Sequence, residues 1–281
     1  MSGTLFVVAT PIGNLEDLTP RARQTLESVD LIAAEDTRHT GRLLSHFAIK
    51  TPTKALHEHN EEQMAERLVA ALQKGQSIAL VSDAGTPLVS DPGYRLVRAA
   101  HANGITVAPV AGASAVTAAL SVAGLPTDRF CFEGFLPAKQ KARRDRLAAL
   151  AREPRTIVIY ESVHRIHDCL LDLVDRFGAA RPAFIGRELT KLHEQCVHAT
   201  LGELLQQVGD ESIIGKGEFV IVVAGAADEP SSLIDADLLL AELANKLPAK
   251  DIARLVARVT GARRNDLYKR LLELGGNPGT D

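Results

Sequence analysis

Short apolar runs alternate with segments of helical spacing through the first 110 residues of the chain. The apolar runs predict four strands, at residues 4–9, 31–34, 77–82 and 105–110. Between them, apolar residues recur three or four positions apart, and several of these segments end in glycine, as amphipathic helices often do. Nearly continuous apolar strands that alternate with helices predict a parallel sheet covered on both faces.

A second set of apolar runs follows a segment rich in Gly, Ala and Ser at residues 110–126. The strands predicted from this set are residues 129–136, 156–162, 182–188 and 218–225. Their spacing, with helical segments between them, predicts a second α/β domain with mixed strand directions and a hinge near residues 111–127.

Beyond these strands the pattern is helical only, with Gly and Pro at the joints, and it is similar to a helix-turn-helix. We therefore predict three parts: an N-terminal α/β domain (1–112), a second α/β domain (113–228) and a basic three-helix module (229–281). Residues 246–270 hold eight Lys or Arg and two Asp, a charge of +6, so the rest of this −3 chain carries −9. That asymmetry indicates either a nucleic-acid-binding module or an amphipathic bundle with a solvated basic face.

Composition narrows the class of protein further. The 281 residues include three widely spaced cysteines without a C-x-x-C pair, which favours a reducing compartment over a disulfide framework or a zinc knuckle. The N-terminus lacks a basic region of the kind found in signal peptides, and no apolar stretch approaches the roughly 20 residues that span a bilayer. We expect a soluble, cytoplasmic protein without a membrane partner.

Glycine-containing loops follow two of the predicted strands, where open α/β sheets bind ligands. Pro11 and Gly13 form a P-x-G turn, and Asp83 and Gly85 lie in SDAGTP, where the backbone can approach a ligand closely. The following SDPG predicts a helix start, with Ser90 or Asp91 as the cap and the proline in the first turn. The absence of G-x-G-x-x-G and G-x-x-x-x-G-K-[ST] disfavours a Rossmann oxidoreductase or a P-loop NTPase.

Charged side chains also follow strands. One group combines acidic and basic residues with histidine: Glu35, Asp36, Arg38, His39, His57, Glu58 and His59. We expect polar substrate contacts or loop solvation here, not a metal site, because the H-x-H spacing and the missing H-E-x-x-H fit zinc poorly. The second group indicates a cleft between the α/β domains or salt bridges across it: Glu133, Tyr160, Glu161, Arg187, Glu188 and Lys191.

In their order along residues 4–225, these stretches resemble the signature series of the tetrapyrrole-methylase superfamily. The stretches that carry the resemblance are VATPIGNLEDLTPRA, AEDTRHTGRLL, HEHNE, VSDAGTPLVSDPGYRL, PVAGASAVTAALSVAGLP, FEGFLP, YESVHRI and GEFVIVVAG. More narrowly, they resemble the branch that methylates small-subunit ribosomal RNA, and the basic C-terminal helices also fit that branch. The resemblance implies a homodimer with S-adenosylmethionine in the cleft between two α/β domains. It also implies methyl transfer to the ribose 2′-hydroxyl of cytidine 1402 in 16S ribosomal RNA.

Carried over by position, the resemblance implies a set of cofactor-binding residues: Pro11, Gly13, Asp83, Ala84, Gly85, Pro87, Ser114, Ala115, Thr117, Ala118, Gly217 and Glu218. For catalysis we hypothesise that Asp36 or Glu161 accepts the hydroxyl proton, or that Arg38 and Arg187 stabilise a developing alkoxide and hold phosphate. Basic residues in two stretches are the candidates for RNA contacts: Lys139, Arg143, Arg144, Arg263, Arg264, Lys269 and Arg270.

Other interpretations stay open at this point. Within enzymes, the alternatives are a tetrapyrrole (porphyrin or corrin) C-methyltransferase and, more distantly, a diphthine-synthase-like protein methylase. From a different class, the chain could be a non-catalytic RNA-binding factor of ribosome assembly. Thermal stabilisation by S-adenosylmethionine separates the methylases from the assembly factor.

Overall fold

The structure is a computed structural model that describes residues 2–226, 236–244 and 247–273. The chain separates into two compact units, residues 1–225 and 226–281. The first unit contains two five-stranded sheets, and the second contains helices. This architecture confirms the predicted α/β class with a helical C-terminal appendage.

The N-terminal sheet is entirely parallel, with the strand order β3-β2-β4-β1-β5. Its strands are β1 (Thr4–Val8), β2 (Leu31–Ala34), β3 (Thr53–Ala55), β4 (Ile78–Val81) and β5 (Thr106–Val110). The helices of this half are α1 (Pro20–Ser28), α2 (Thr37–His46), α3 (Glu61–Gln73) and α4 (Tyr94–Ala102). Four strands lie in the predicted runs; β3 was not predicted, because its three residues include no apolar run.

The core of this half has two faces, as the alternation of side chains along a strand requires. Ile78 and Leu80 of β4 pack in one buried cluster with residues of α3 and α4. Ala79 and Val81 of the same strand pack in the other cluster, with residues of α1 and α2. The parallel sheet is therefore covered by helices on both sides, and its strand ends are left to form loops.

The second sheet has the order β6-β7-β10-β8-β9 and mixed directions, as predicted. Its strands are β6 (Phe130–Phe135), β7 (Thr156–Ser162), β8 (Pro182–Arg187), β9 (Gln195–Thr200) and β10 (Glu218–Val223). The helices are α5 (Ala115–Val122), α6 (Gln140–Leu150), α7 (Ile166–Phe177) and α8 (Leu201–Gly209). Only β6 and β7 run parallel. The edge strand β9 was not predicted, because polar residues interrupt its apolar positions.

The two faces of this sheet pack differently. One face, with Ile159 and Ile221, is covered by α6, α7 and α8. On the opposite face, Val158 and Val220 pack against α5, and Ile12 from the loop after β1 joins the same cluster. This shared cluster brings the loops of the N-terminal sheet against the second sheet.

The second unit contains α9 (Ala236–Leu243), α10 (Ala249–Thr260) and α11 (Arg264–Glu273). Leu240, Ile252, Val256 and Leu267 form its buried core. Gly261, in the left-handed conformation at φ 72°, ends α10. Part of the predicted 229–281 module lies outside the described residues. Among the described residues, no helix combines the length and apolar character that crossing a bilayer requires.

Candidate functional site

A cavity of about 400 Å³ lies where the loops after β1, β2 and β4 face the second sheet. The loops and the start of α5 contribute one group of lining residues: Ile12, Glu35, Asp83, Ala84, Gly85, Thr86, Val89, Ser90, Asp91, Ser114 and Ala115. The second sheet and its loops contribute the other group: Phe135, Tyr160, Glu161, Ser162, Val163, Gly186, Leu189, Lys191, Gly217, Glu218, Phe219 and Val220. The mixture of apolar walls and a few polar groups is typical of small-molecule sites.

The floor of this cavity is formed by loops that are hydrogen-bonded to each other. Thr10 and Gly85 exchange backbone hydrogen bonds of 2.9 and 3.1 Å, which join the loops after β1 and β4. Thr86 Oγ1 donates to the carbonyl oxygen of Ala113 at 3.1 Å, which adds the segment after β5. Gly85 adopts φ 78°, and a Cβ there would lie 3.1 Å from Ile12 Cγ2. A side chain at this position would therefore be strained and would press on the cavity wall.

The segment from residue 88 to residue 93 is an irregular turn, not a helix start. Leu88 and Ser90 adopt left-handed φ angles of 72° and 71°, each of which costs roughly 1–3 kcal/mol for a non-glycine residue. The prediction that Ser90 or Asp91 caps the helix is wrong, because α4 begins at Tyr94 without a side-chain cap from its own N-terminal residues. Glu61 of α3 replaces that cap: its Oε1 accepts hydrogen bonds from the backbone N–H groups of Gly93 and Arg95, at 3.1 and 2.7 Å.

One wall of the cavity is acidic. Asp83 Oδ1 accepts a hydrogen bond from the Asp36 backbone N–H at 3.0 Å, which ties the loop after β4 to the loop after β2. Burial raises the pKa of Glu35, and it raises the pKa of Asp91 to about 6, an effect to which the charges of Glu35 and Asp83 add. Three carboxyl groups in a partly desolvated wall favour a ligand that carries positive charge.

The opposite wall holds an ion-paired lysine. Lys191 Nζ lies 2.8 Å from Glu188 Oε1 and 2.9 Å from Glu218 Oε2. Glu188 also accepts the backbone N–H of Glu218 at 2.9 Å, beside Gly217, whose φ is 96°. A Cβ at Gly217 would collide with the Glu188 carboxyl group. This glycine therefore permits the close approach of the loop before β10 to the Glu188–Lys191 pair.

Seven of the twelve residues predicted to bind cofactor line this cavity: Asp83, Ala84, Gly85, Ser114, Ala115, Gly217 and Glu218. Thr117 and Ala118 line a neighbouring hollow of about 380 Å³, which Ile12 and Ser114 share with the cavity. Pro11, Gly13 and Pro87 line neither of these two spaces. Gly13 instead packs against the aliphatic part of Lys191, where a Cβ would collide with that side chain.

The four residues predicted for catalysis are dispersed. Glu161 alone of the four lines the cavity; it is buried, its Oε1 accepts the Ser162 N–H at 2.7 Å, and its Oε2 lies 3.3 Å from Arg165. Asp36 caps α2 and pairs with the exposed Arg38 at 2.8 Å. Hydrogen bonds from the Arg38 side chain and backbone hold the pKa of Asp36 well below its usual range, which makes it a weak base.

Arg187, the fourth of these residues, is buried. Its guanidinium donates to the carbonyl oxygens of Lys216 and His193 at 2.6 and 2.9 Å, and to Gln195 Oε1 at 3.1 Å. The cation therefore holds the loop before β10 and the segment between β8 and β9. This geometry favours a role in positioning those segments over direct contact with phosphate.

The residues predicted to contact RNA also differ in exposure. Arg143 is buried and pairs with the buried Asp172 at 2.7 Å, so its expected RNA contact is not supported: the arginine faces the core. Arg144 shares Asp172 at 2.6 Å but keeps 41% of its side chain exposed. The remaining members of the set are exposed: Lys139, Arg263, Arg264, Lys269 and Arg270. Among them, Arg270 pairs with Asp237 at 3.2 Å.

The sequence predicts Ser90 or Asp91 as a helix cap, whereas the structure places Asp91 in the cavity wall. The Pro92-Gly93 dipeptide was the available signal, because P-G marks a turn more often than a helix start. Tyr160 also lines the cavity, with its ring edge-on to Phe132 and Phe135 at 4.9 and 5.6 Å. Burial raises the pKa of Tyr160 to about 12. Within the described ranges, no group of three or more His, Cys, Asp or Glu side chains could hold a metal ion.

Comparison with known proteins defines the class. A family model described as Tetrapyrrole (Corrin/Porphyrin) Methylases matches residues 4–205, well over half of the chain, and the chain therefore belongs to the tetrapyrrole methylase family. A solved structure of uroporphyrin-III C-methyltransferase from Thermus thermophilus, complexed with S-adenosylhomocysteine, shares the fold with a TM-score of 0.53 and 20% identity. That match covers 79% of this chain and 97% of that chain.

Two curated relatives indicate which branch of the family this chain is similar to. Ribosomal RNA small subunit methyltransferase I from Xylella fastidiosa (strain Temecula1 / ATCC 700964) is 57% identical over 267 residues, which cover 95% of this chain and 98% of the relative. The protein of the same name from Escherichia coli O157:H7 is 54% identical over 275 residues, 98% of this chain and 96% of the relative. A model described as the RsmI C-terminal HTH domain matches residues 231–275. Within the tetrapyrrole methylases, the chain thus groups with ribosomal RNA small subunit methyltransferase I.

Proposed function

We propose that this protein transfers a methyl group from S-adenosylmethionine to 16S ribosomal RNA of the small subunit, at the ribose 2′-hydroxyl of cytidine 1402. The observation that carries the proposal is the cavity, in which seven residues predicted to bind cofactor converge from three segments that are distant in the sequence. The identity of 54–57% to the two methyltransferases supports the choice of substrate.

The residues of the cavity fit S-adenosylmethionine. The volume of about 400 Å³ lies within the range of small-molecule sites. The acidic wall of Glu35, Asp83 and Asp91 complements a sulfonium cation, and Ile12 and Leu189 supply apolar surface. When bound, the cofactor supplies an activated methyl group.

The chain's own residues have the tasks of orienting the acceptor hydroxyl and of excluding water. The hydrogen bonds between Thr10 and Gly85, and between Thr86 and Ala113, fix the loops against which the reactants would lie. A sugar hydroxyl is a poor nucleophile, so a group that accepts its proton accelerates the transfer.

RNA recognition is assigned in this proposal to the basic C-terminal helices. Arg263, Arg264 and Lys269 are exposed on or beside α11, where they can contact phosphates. The proposal further implies a homodimer in the cytoplasm and a division of labour between the methylase half and the module at 229–281. An RNA-binding appendage accounts for the basic charge of residues 246–270 in a chain whose net charge is −3.

The test is methyl transfer from radiolabelled S-adenosylmethionine to three acceptors: small ribosomal subunits that lack the modification, naked 16S RNA and a porphyrinogen. The proposal predicts label in the RNA of one or both ribosomal acceptors and none in the porphyrinogen. Label in the porphyrinogen alone would support a tetrapyrrole methyltransferase. Thermal stabilisation without transfer to any acceptor would overturn the proposed reaction, and neither stabilisation nor transfer would indicate a non-catalytic factor.

A further inference from the structure

Five carboxyl groups line the cavity, and four of them are engaged by nearby N–H groups or cations. Glu161 accepts the Ser162 N–H and lies beside Arg165, and Glu218 pairs with Lys191. Asp83 accepts the Asp36 N–H at 3.0 Å, and Glu35 accepts the Asp83 N–H over a longer 3.4 Å. These contacts hold the four carboxyl groups against the surrounding backbone and side chains.

Asp91 differs from the other four. The carboxyl group of Asp91 lies beside the hydroxyl of Ser82, a neutral group whose effect in lowering the pKa of Asp91 is smaller than the effect of burial in raising it. The neighbouring charges are those of Glu35 and Asp83, which follow β2 and β4, and Tyr160 of β7 is close enough for the charge of Asp91 to help raise the pKa of Tyr160. No cation is found among these neighbours of Asp91 in the part of the chain that the structure describes.

The backbone holds Asp91 in this position at a cost. Ser90 adopts φ 71°, and Glu61 caps α4 in place of a residue from the turn. Glu61 provides that cap, and Asp91, which does not cap the helix, lines the cavity. A strained turn that places a poorly solvated acid in a ligand cavity is the arrangement expected of a group that takes part in chemistry.

We propose that Asp91 is the general base that accepts the proton of the acceptor hydroxyl. The inference rests on the proposed function. As the O–H bond breaks, its proton moves to the Asp91 carboxylate and the hydroxyl oxygen forms a bond to the methyl carbon. The carbon–sulfur bond breaks and its electron pair stays on sulfur. The sulfonium thus becomes a neutral thioether, and the Asp91 carboxylate becomes a neutral carboxylic acid.

The titration of Asp91 fits this role. Burial, with the charges of Glu35 and Asp83, raises its pKa to about 6. A base whose pKa is near the working pH is present in its charged form and still binds a proton effectively. When the pH falls below the pKa of Asp91, its carboxyl group becomes protonated and loses the ability to accept a proton, so the methyl-transfer rate falls on the acid side. A cationic ligand in the cavity lowers this pKa, and its binding near pH 6 therefore releases protons.

The experiment compares wild-type protein with Asp91→Asn, Asp91→Glu and the control Asp175→Asn, an exposed position on α7. Single-turnover methyl transfer to unmodified small subunits is measured from pH 5 to 9. Calorimetry of S-adenosylmethionine binding at pH 6, in two buffers of different ionisation enthalpy, counts the protons released. S-adenosylhomocysteine, which lacks the sulfonium charge, is the neutral comparison ligand.

We expect Asp91→Asn to lower the rate by about a hundredfold or more, to abolish the acid limb and to reduce the proton release while S-adenosylhomocysteine still binds. We expect Asp91→Glu to recover part of the rate together with an acid limb, and Asp175→Asn to behave as wild type. An Asp91→Asn variant that keeps the wild-type rate and pH profile overturns the inference while the proposed function stands. If Asp91→Asn is inactive and fails to bind S-adenosylhomocysteine, and Asp91→Glu recovers nothing, Asp91 is a structural residue. Wild-type protein that binds the cofactor but methylates no RNA contradicts the proposed function itself.

Discussion

Glu61 allows a direct test of how the cavity loop is supported. Its buried carboxylate accepts two N–H groups at the start of α4, from Gly93 at 3.1 Å and Arg95 at 2.7 Å. Hydrogen bonds to a charged group contribute about 1.5–3 kcal/mol each, and the two are not independent. We therefore expect Glu61→Ala to lower the free energy of unfolding by about 2–4 kcal/mol. Glu61→Gln keeps an acceptor oxygen but loses the favourable charge at the helix N-terminus, a loss of about 1 kcal/mol.

The matched control for Glu61 is the next residue. Glu62 pairs with the same Arg95 at 3.2 Å, but its side chain is 83% exposed, and exposed pairs of this kind contribute little. Urea denaturation measures all three variants, and titration with S-adenosylmethionine reports on the turn that Glu61 holds. We expect weaker cofactor binding for Glu61→Ala and no change for Glu62→Ala. Equal stability and equal cofactor affinity in these two variants would refute the reasoning.

Three further predictions concern the core, the cavity and the basic helices. Asp172→Ala leaves Arg143 buried without its partner and should lower the free energy of unfolding, measured by urea denaturation, by about 3–5 kcal/mol. Asp175→Ala, at an exposed pair, should leave that free energy unchanged, and similar values for the two variants would contradict the buried pairing. Gly85→Ala should weaken S-adenosylmethionine binding at least tenfold, as measured by calorimetry, whereas Gly104→Ala, also at positive φ but with open space around it, should affect stability alone. Unchanged affinity in Gly85→Ala would argue against a cofactor beside Gly85. Charge reversal of Arg263 and Arg264 should reduce the slope of log K against log salt concentration, for binding to small subunits, by about one unit or more. Charge reversal of Arg21 and Arg23 on α1 should leave that slope unchanged, and equal slopes for the two variants would exclude α11 as the main RNA contact.

The sequence was most informative where chemistry is local. Buried parallel strands such as β4 are nearly continuous apolar runs, so they and the loops after them were predicted with correct positions. Short or half-exposed strands such as β3 and β9 lack that signal. The convergence of Asp83 and Gly217 on one cavity followed from the family resemblance, not from the spacing of residues.

The partners of charged residues could not be predicted, because tertiary structure decides them. Arg143 was expected at the surface, but Asp172 from the next helix pairs with it in the core. The cap of α4 comes from Glu61 on another helix, which no local pattern around residues 90–93 could indicate. For the same reason Asp91 was assigned to a helix and not to the cavity. The strained turn that redirects it exists only in the folded protein.

The central claim is that methyl transfer to a ribose of small-subunit RNA takes place in the cavity between the sheets. Mapping the position of the transferred methyl group tests this claim most directly. Small subunits without the modification are incubated with the protein and S-adenosylmethionine, and the 16S RNA is digested to nucleosides and fragments for mass spectrometry. The account predicts 2′-O-methylcytidine at nucleotide 1402 with wild-type protein and a strongly reduced yield with Gly85→Ala. A methyl group on a base or at another nucleotide, or an equal yield from the two proteins, would contradict it.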